Sequence, residues 1–142
     1  MPILNTGLAA TLAAIGFLGI AAFQAALALG APLGRAAWGG KSRELPPNLR
    51  RASAVAVVIW LLAAIVILGR SGIEVVPLPD VILVWGSWAL VVASVLGAIV
   101  NVASSSPWER FGWAPLSLVL ALLSWVVASN PATLGATGAW PA

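Results

Sequence analysis

SAVAVVIWLLAAIVILG, residues 53–69, carries no charged side chain and stops at Arg70. Its apolar residues do not alternate with polar ones. A membrane β-barrel strand alternates over roughly 10 residues. A helix of this length approaches the roughly 30 Å of a bilayer's hydrocarbon core at about 1.5 Å per residue. Lipid offers no partner to a backbone N–H or C=O, so a segment of this kind satisfies its backbone internally, as a helix.

Three further apolar runs flank it. The first extends from Ile3 to Gly30 and meets no charge before Arg35. A secretory signal peptide would need a basic start and a shorter apolar centre. The third run follows Pro79-Asp80 and ends at Ser104-Ser105-Ser106-Pro107. Asp80 is placed to cap it and to meet the positive end of the helix dipole. The fourth runs from Trp113 to Ser129, with Pro115 expected in its first turn, where a missing N–H costs little. The reading is an all-α, four-helix transmembrane bundle in one domain over residues 1–142, with helices near 4–31, 53–70, 80–103 and 113–129 and a basic loop over 32–52. The tail PATLGATGAWPA is expected to end the chain irregularly at an interface.

Composition agrees with this and excludes much chemistry. Hydrophobic residues make up 61% of the chain and charged ones 8%, against about 25% charged in a soluble domain. There is no Cys, His or Tyr. Disulfides, thiolate nucleophiles, thiolate metal sites and imidazole bases are therefore excluded, as is haem ligation by those residues. No metal and no cofactor is expected. The net charge of +3 comes from a few loop residues, so it points to no nucleic-acid partner.

Those basic residues orient the chain. Arg35, Lys41, Arg43, Arg50 and Arg51 lie between the first two helices and Arg110 between the last two, whereas the opposite side has only Arg70, near Glu74 and Asp80. Six against one over short loops places both loops in the cytoplasm and both termini outside it. The same bias disfavours an antiparallel dual-topology pair.

Several features offer contacts. The segment GAPLGRAAWGGKSRELPPNLRRAS, residues 30–53, has four Gly and three Pro, more than a topology anchor requires. It suits headgroup or anion contact, or partner docking. Gly39-Gly40-Lys41-Ser42 ends like a phosphate loop but has Arg35 where the first Gly belongs. Gln24 and Asn101 are polar residues in apolar spans and are expected to bond neighbouring helices. Ala22, Ala26 and Gly30, and Ala89, Ala93 and Gly97, form small-residue stripes for close helix contact. Trp85 and Trp88, one turn apart, suit interfacial anchoring or a flat apolar ligand; Trp38, Trp108, Trp113 and Trp140 suit the interfacial belt. Ser106-Pro107-Trp108-Glu109 has the form of a capping box, and Glu109 is placed to join the two cytoplasmic loops through a basic partner.

GAPLGRAAWGG, LPPNLRRAS and NVASSSPWERFGWAPLSLVLALLS together resemble a group of small four-helix bacterial membrane proteins without an assigned activity. The resemblance covers roughly Gln24 to Ser124. It implies the same architecture and a multi-pass place in a bacterial inner membrane.

For function, no ionisable residue falls inside a predicted span, which argues against proton- or cation-coupled transport. The four acidic residues are scattered, which argues against an enzyme. The expectation is a non-catalytic accessory or structural subunit in a homo-oligomer or larger membrane complex. The alternatives are a channel or carrier for an apolar or uncharged solute, or a binder of a lipid, quinone or carotenoid.

Overall fold

A computed structural model describes residues 5–130. Trp140 and the rest of the tail, like the expected start of the first helix at residue 4, lie outside the described residues. The described residues contain four long helices and no strand. They are α1 (Thr6–Ala28), α2 (Pro47–Arg70), α3 (Asp80–Val102) and α4 (Ala114–Ser129). Each is long and apolar enough to cross a membrane, α4 together with the turn that leads into it.

Consecutive helices run antiparallel. The two closest pairings are the hairpins α1–α2 and α3–α4, which meet through α1 against α4 and α2 against α3. One end of the bundle carries the segments 29–46 and 103–106; the other carries the 71–79 connection and the ends of α1 and α4. The latter half is packed by Ala9, Ala10, Ala13, Ala14 and Phe17 of α1 against Ala63, Ala64 and Ile67 of α2 and Leu120 and Val127 of α4. Small side chains draw the backbones together. Among the glycines of the four helices Gly16 makes the closest approach, since a Cβ there would stand 2.6 Å from Leu120 Cδ2. Phe17 also stacks on Trp60, with ring centroids 5.5 Å apart. A second cluster, Leu27, Ala37 and Leu45, closes the loop end. The outer faces are lined with exposed Leu, Val and Ile.

Helix limits depart from expectation in three places, the first being α1, which ends at Ala28 with Leu29 as its cap and does not reach 31. α2 begins at Pro47, inside the expected loop, because Pro46 holds extended backbone and proline suits a first helical turn. Arg50 and Arg51 are therefore helical, and Arg50 Nε donates to Ala28 O at 3.1 Å, capping the negative end of α1. The fourth helix begins at Pro107, not Trp113, and passes through a π-helical turn over Glu109–Trp113 before α4. Pro115 is thus interior to a continuous helix. It has no N–H, and its ring crowds the preceding carbonyl turn; the wider turn absorbs this, with Ala114 N–H donating to Glu109 O. Asp80 is the first helical residue and Pro79 the cap, so Asp80 makes no side-chain cap bond. Arg70, the charge that ends the second apolar run, is buried in the last turn of α2 and donates to Ala128 O at 3.4 Å, at the carbonyl end of α4.

Candidate functional site

Between the packed core and the loop end lies a partly open cavity of about 780 Å³. All four helices contribute. Ile20, Phe23 and Gln24 come from α1, Leu49 and Trp60 from α2, Ser94, Gly97 and Asn101 from α3, and Ser117 and Leu120 from α4. Segments 36–39 and 103–105, with Glu109 and Trp113, form its loop-end wall. The cavity exists because the hairpins pack tightly internally and meet more loosely across it. Gly97 leaves space there: a Cβ would meet only Ser117 side-chain atoms, at 3.5 Å and beyond.

The loop-end wall is built from residues that composition marks as flexible but that are firmly held. Trp38, Gly39 and Gly40 have φ of 52°, 82° and 69°, three successive left-handed residues. Only glycine takes this region freely, and Trp38 is kept there while its Nε1 donates to Ser53 Oγ at 3.1 Å. The turn presents the Gly39 N–H to the Glu109 carboxylate, at 3.1 and 3.2 Å from its two oxygens. Ser104 Oγ donates to the same carboxylate. Ser105 Oγ donates to Gly39 O at 3.0 Å, so both polar groups of Gly39 are engaged. Ser106 Oγ donates to Arg35 O and Trp113 Nε1 to Ala36 O, each at 2.7 Å.

Glu109 therefore does join the two loops, but through a backbone N–H and not a basic side chain. The capping box is half made: Glu109 N–H donates to Ser106 Oγ at 3.5 Å, while the Glu109 carboxylate turns to Gly39 and Ser104. It is 8% exposed, at the start of the fourth apolar span, which runs from Glu109 to Ser129. The expectation of no ionisable group in a span fails here. The cause is the earlier helix start, which carries the carboxylate into the bundle.

A search of protein-family models, curated proteins and solved structures finds no match to this chain.

The residues expected to matter divide between the cavity and the surface. Gln24 and Asn101 both line the cavity. Asn101 Nδ2 donates to Ser117 Oγ at 3.3 Å, an α3–α4 bond, and Gln24 Oε1 is buried without a partner. Gly97 and Ala93 also line the cavity, although Ala93, Ala22 and Ala89 are largely exposed and Ala26 is half-buried. Gly30 packs against the Arg50 guanidinium. Arg35, Lys41, Arg43, Arg50, Arg51 and Arg110 are all exposed at the loop end and none lines the cavity. Trp85 is 71% exposed, and neither it nor Trp88 reaches the cavity. Trp38 and Trp113, expected in the interfacial belt, are cavity walls; Trp113 is half-buried, its ring centroid 4.7 Å from that of Phe23. Sequence reasoning missed the cavity, the roles of Trp60 and Phe23, and the burial of Glu109. The one available signal was Trp-Gly-Gly, a turn in one loop, opposite three serines and an acid in the other.

Proposed function

We propose that this is a non-catalytic, multi-pass membrane protein that binds a small amphiphilic molecule within its bundle. The cavity carries the reading. Its volume lies in the range of small-molecule sites, and it combines apolar and aromatic walls with a few convergent polar groups. The packed core of α1, α2 and α4 lies between the cavity and the far end of the bundle, which supports retention of a guest over conduction through the protein. Glu109 has no second titratable side chain beside it on the wall, which supports binding over catalysis.

Association with other membrane helices has narrower support. Ala93, Gly97 and Asn101 belong to the cavity wall and Gly30 packs against Arg50, so Ala22 and Ala89 are what remains wholly outward of the small-residue stripes.

Gly97→Phe tests the binding reading by filling the cavity from its own wall. Native mass spectrometry of protein extracted in mild detergent should show a small-molecule adduct on the natural chain and its loss in the variant. A bare natural chain would overturn the reading. Within it, the basic loop end faces the cytoplasm of a bacterial inner membrane and both termini face away. In a chain with no native cysteine, Ser42→Cys should resist an impermeant maleimide in intact cells and react after permeabilisation. Labelling in intact cells would reverse the orientation.

A further inference from the structure

The polar inventory of the cavity has one sign. Glu109 is its single titratable side chain, and the carboxylate is held by neutral donors, the Gly39 N–H and the Ser104 hydroxyl. Arg110 adjoins it in sequence but is exposed and is not a lining residue; its Nη2 donates to the carbonyl of the wall residue Ser104 at 2.7 Å. Some donors on the wall are used within the protein: the indole N–H groups of Trp38 and Trp113 go to Ser53 and Ala36, and the Asn101 amide goes to Ser117, whereas Trp60 Nε1 and Gln24 Nε2 make no hydrogen bond among the described residues. Groups able to accept also remain unpaired. Among the described residues Gln24 Oε1 has no partner, and neither has the hydroxyl of Ser94, a wall residue 4% exposed. The remaining surface is aromatic, from Phe23, Trp60 and Trp113, and aliphatic, from Ile20 and Leu120.

Resting on the reading of this cavity as a small-molecule site, we propose that its guest is an apolar chain or ring system bearing a protonated amine. The ammonium group donates to the Glu109 carboxylate and to Gln24 Oε1, and the apolar part lies along Trp60, Ile20 and Leu120. A carboxylate away from bulk water interacts far more strongly with a charge than it would in water. Aromatic faces add attraction for a cation. An anionic guest meets like charge, and a neutral one leaves the carboxylate uncompensated. Two sources share this chemistry, the headgroup of an aminophospholipid and a free amphiphilic amine.

The test uses the full-length chain in phosphatidylcholine nanodiscs, which offer no primary amine, with tryptophan emission as readout. Decylamine, decanol and decanoate share a chain length and differ in head charge at neutral pH. Decylamine should bind about tenfold tighter than decanol, with decanoate weakest. Glu109→Gln should weaken decylamine roughly tenfold and leave decanol within about twofold. Gln24→Leu, which leaves the loop contacts of Glu109 in place, should weaken decylamine about threefold and serves if Glu109→Gln does not fold. A lower apparent affinity for decylamine in phosphatidylethanolamine nanodiscs identifies the aminolipid as guest; no change identifies a free amine. Equal binding of decylamine and decanol by the natural chain, or full decylamine affinity in Glu109→Gln, overturns the amine assignment and leaves the cavity reading standing. Binding of none of the three probes overturns both.

Discussion

Gly40→Ala should lower the stability of the bundle by about 3 kcal/mol. Gly40 has φ of +69°, and a Cβ there would stand 2.8 Å from Arg35 O and 2.9 Å from Ser106 Cβ. The left-handed backbone alone costs a non-glycine residue roughly 1–2 kcal/mol. The overlap adds a comparable amount, because Arg35 O is backbone and is already bonded by Ser106 Oγ. The strain falls where the two loops meet, so it cannot relax by moving one of them alone. Thermal unfolding followed by tryptophan emission should show a fall of roughly 10 °C. Gly39→Ala separates the two contributions, since a Cβ there meets nothing within 4 Å and only the backbone cost remains. An unchanged melting temperature in Gly40→Ala would mean that the two loops are not in contact at this point.

Glu109→Ala should release the first loop while the helices hold. The carboxylate accepts from the Gly39 N–H and the Ser104 hydroxyl, and hydrogen bonds to a charged group are each worth about 1.5–3 kcal/mol. Loss of this clasp leaves Ser105, Ser106 and Trp113 to hold residues 35–39. Local opening becomes easier by about 2–3 kcal/mol, a factor of roughly 30–150 in the open population. Lys41 and Arg43 are exposed just beyond the turn, so trypsin reads that population directly. Cleavage there should accelerate more than tenfold in Glu109→Ala. Glu109→Gln retains a carbonyl acceptor for Gly39 and should accelerate it less. Helical circular dichroism should stay near that of the natural chain, because the α1–α2 and α3–α4 pairings do not involve Glu109. Equal cleavage rates in all three proteins would show that the carboxylate does not hold the loop.

Both experiments probe a feature that was only half legible in the sequence. Gly39-Gly40 reads as a turn and Ser106-x-x-Glu109 as a helix start, and each is one. Their meeting is not encoded in either stretch, because it depends on the two hairpins being placed side by side. The small-residue stripes show the same limit from another direction. Ala22, Ala89 and Ala93 have ideal spacing for helix contact yet are largely exposed, while Ala9, Ala10, Ala13 and Ala14, which look no different in the sequence, form the core.

The sequence by itself determined that there are four long apolar helices, because a chain in hydrocarbon must satisfy its backbone internally. It also determined that the basic residues gather at one end, since charges mark the connections and successive antiparallel spans bring alternate connections together. It could not determine which face of each helix turns inward. In water that face is announced by a polar opposite side. Here lipid and core are equally apolar, so packing selects the inner face by shape alone. The alanine core of α1, the Arg50 cap on Ala28, the burial of Glu109 and the cavity all follow from that selection, and the tertiary structure alone decided them.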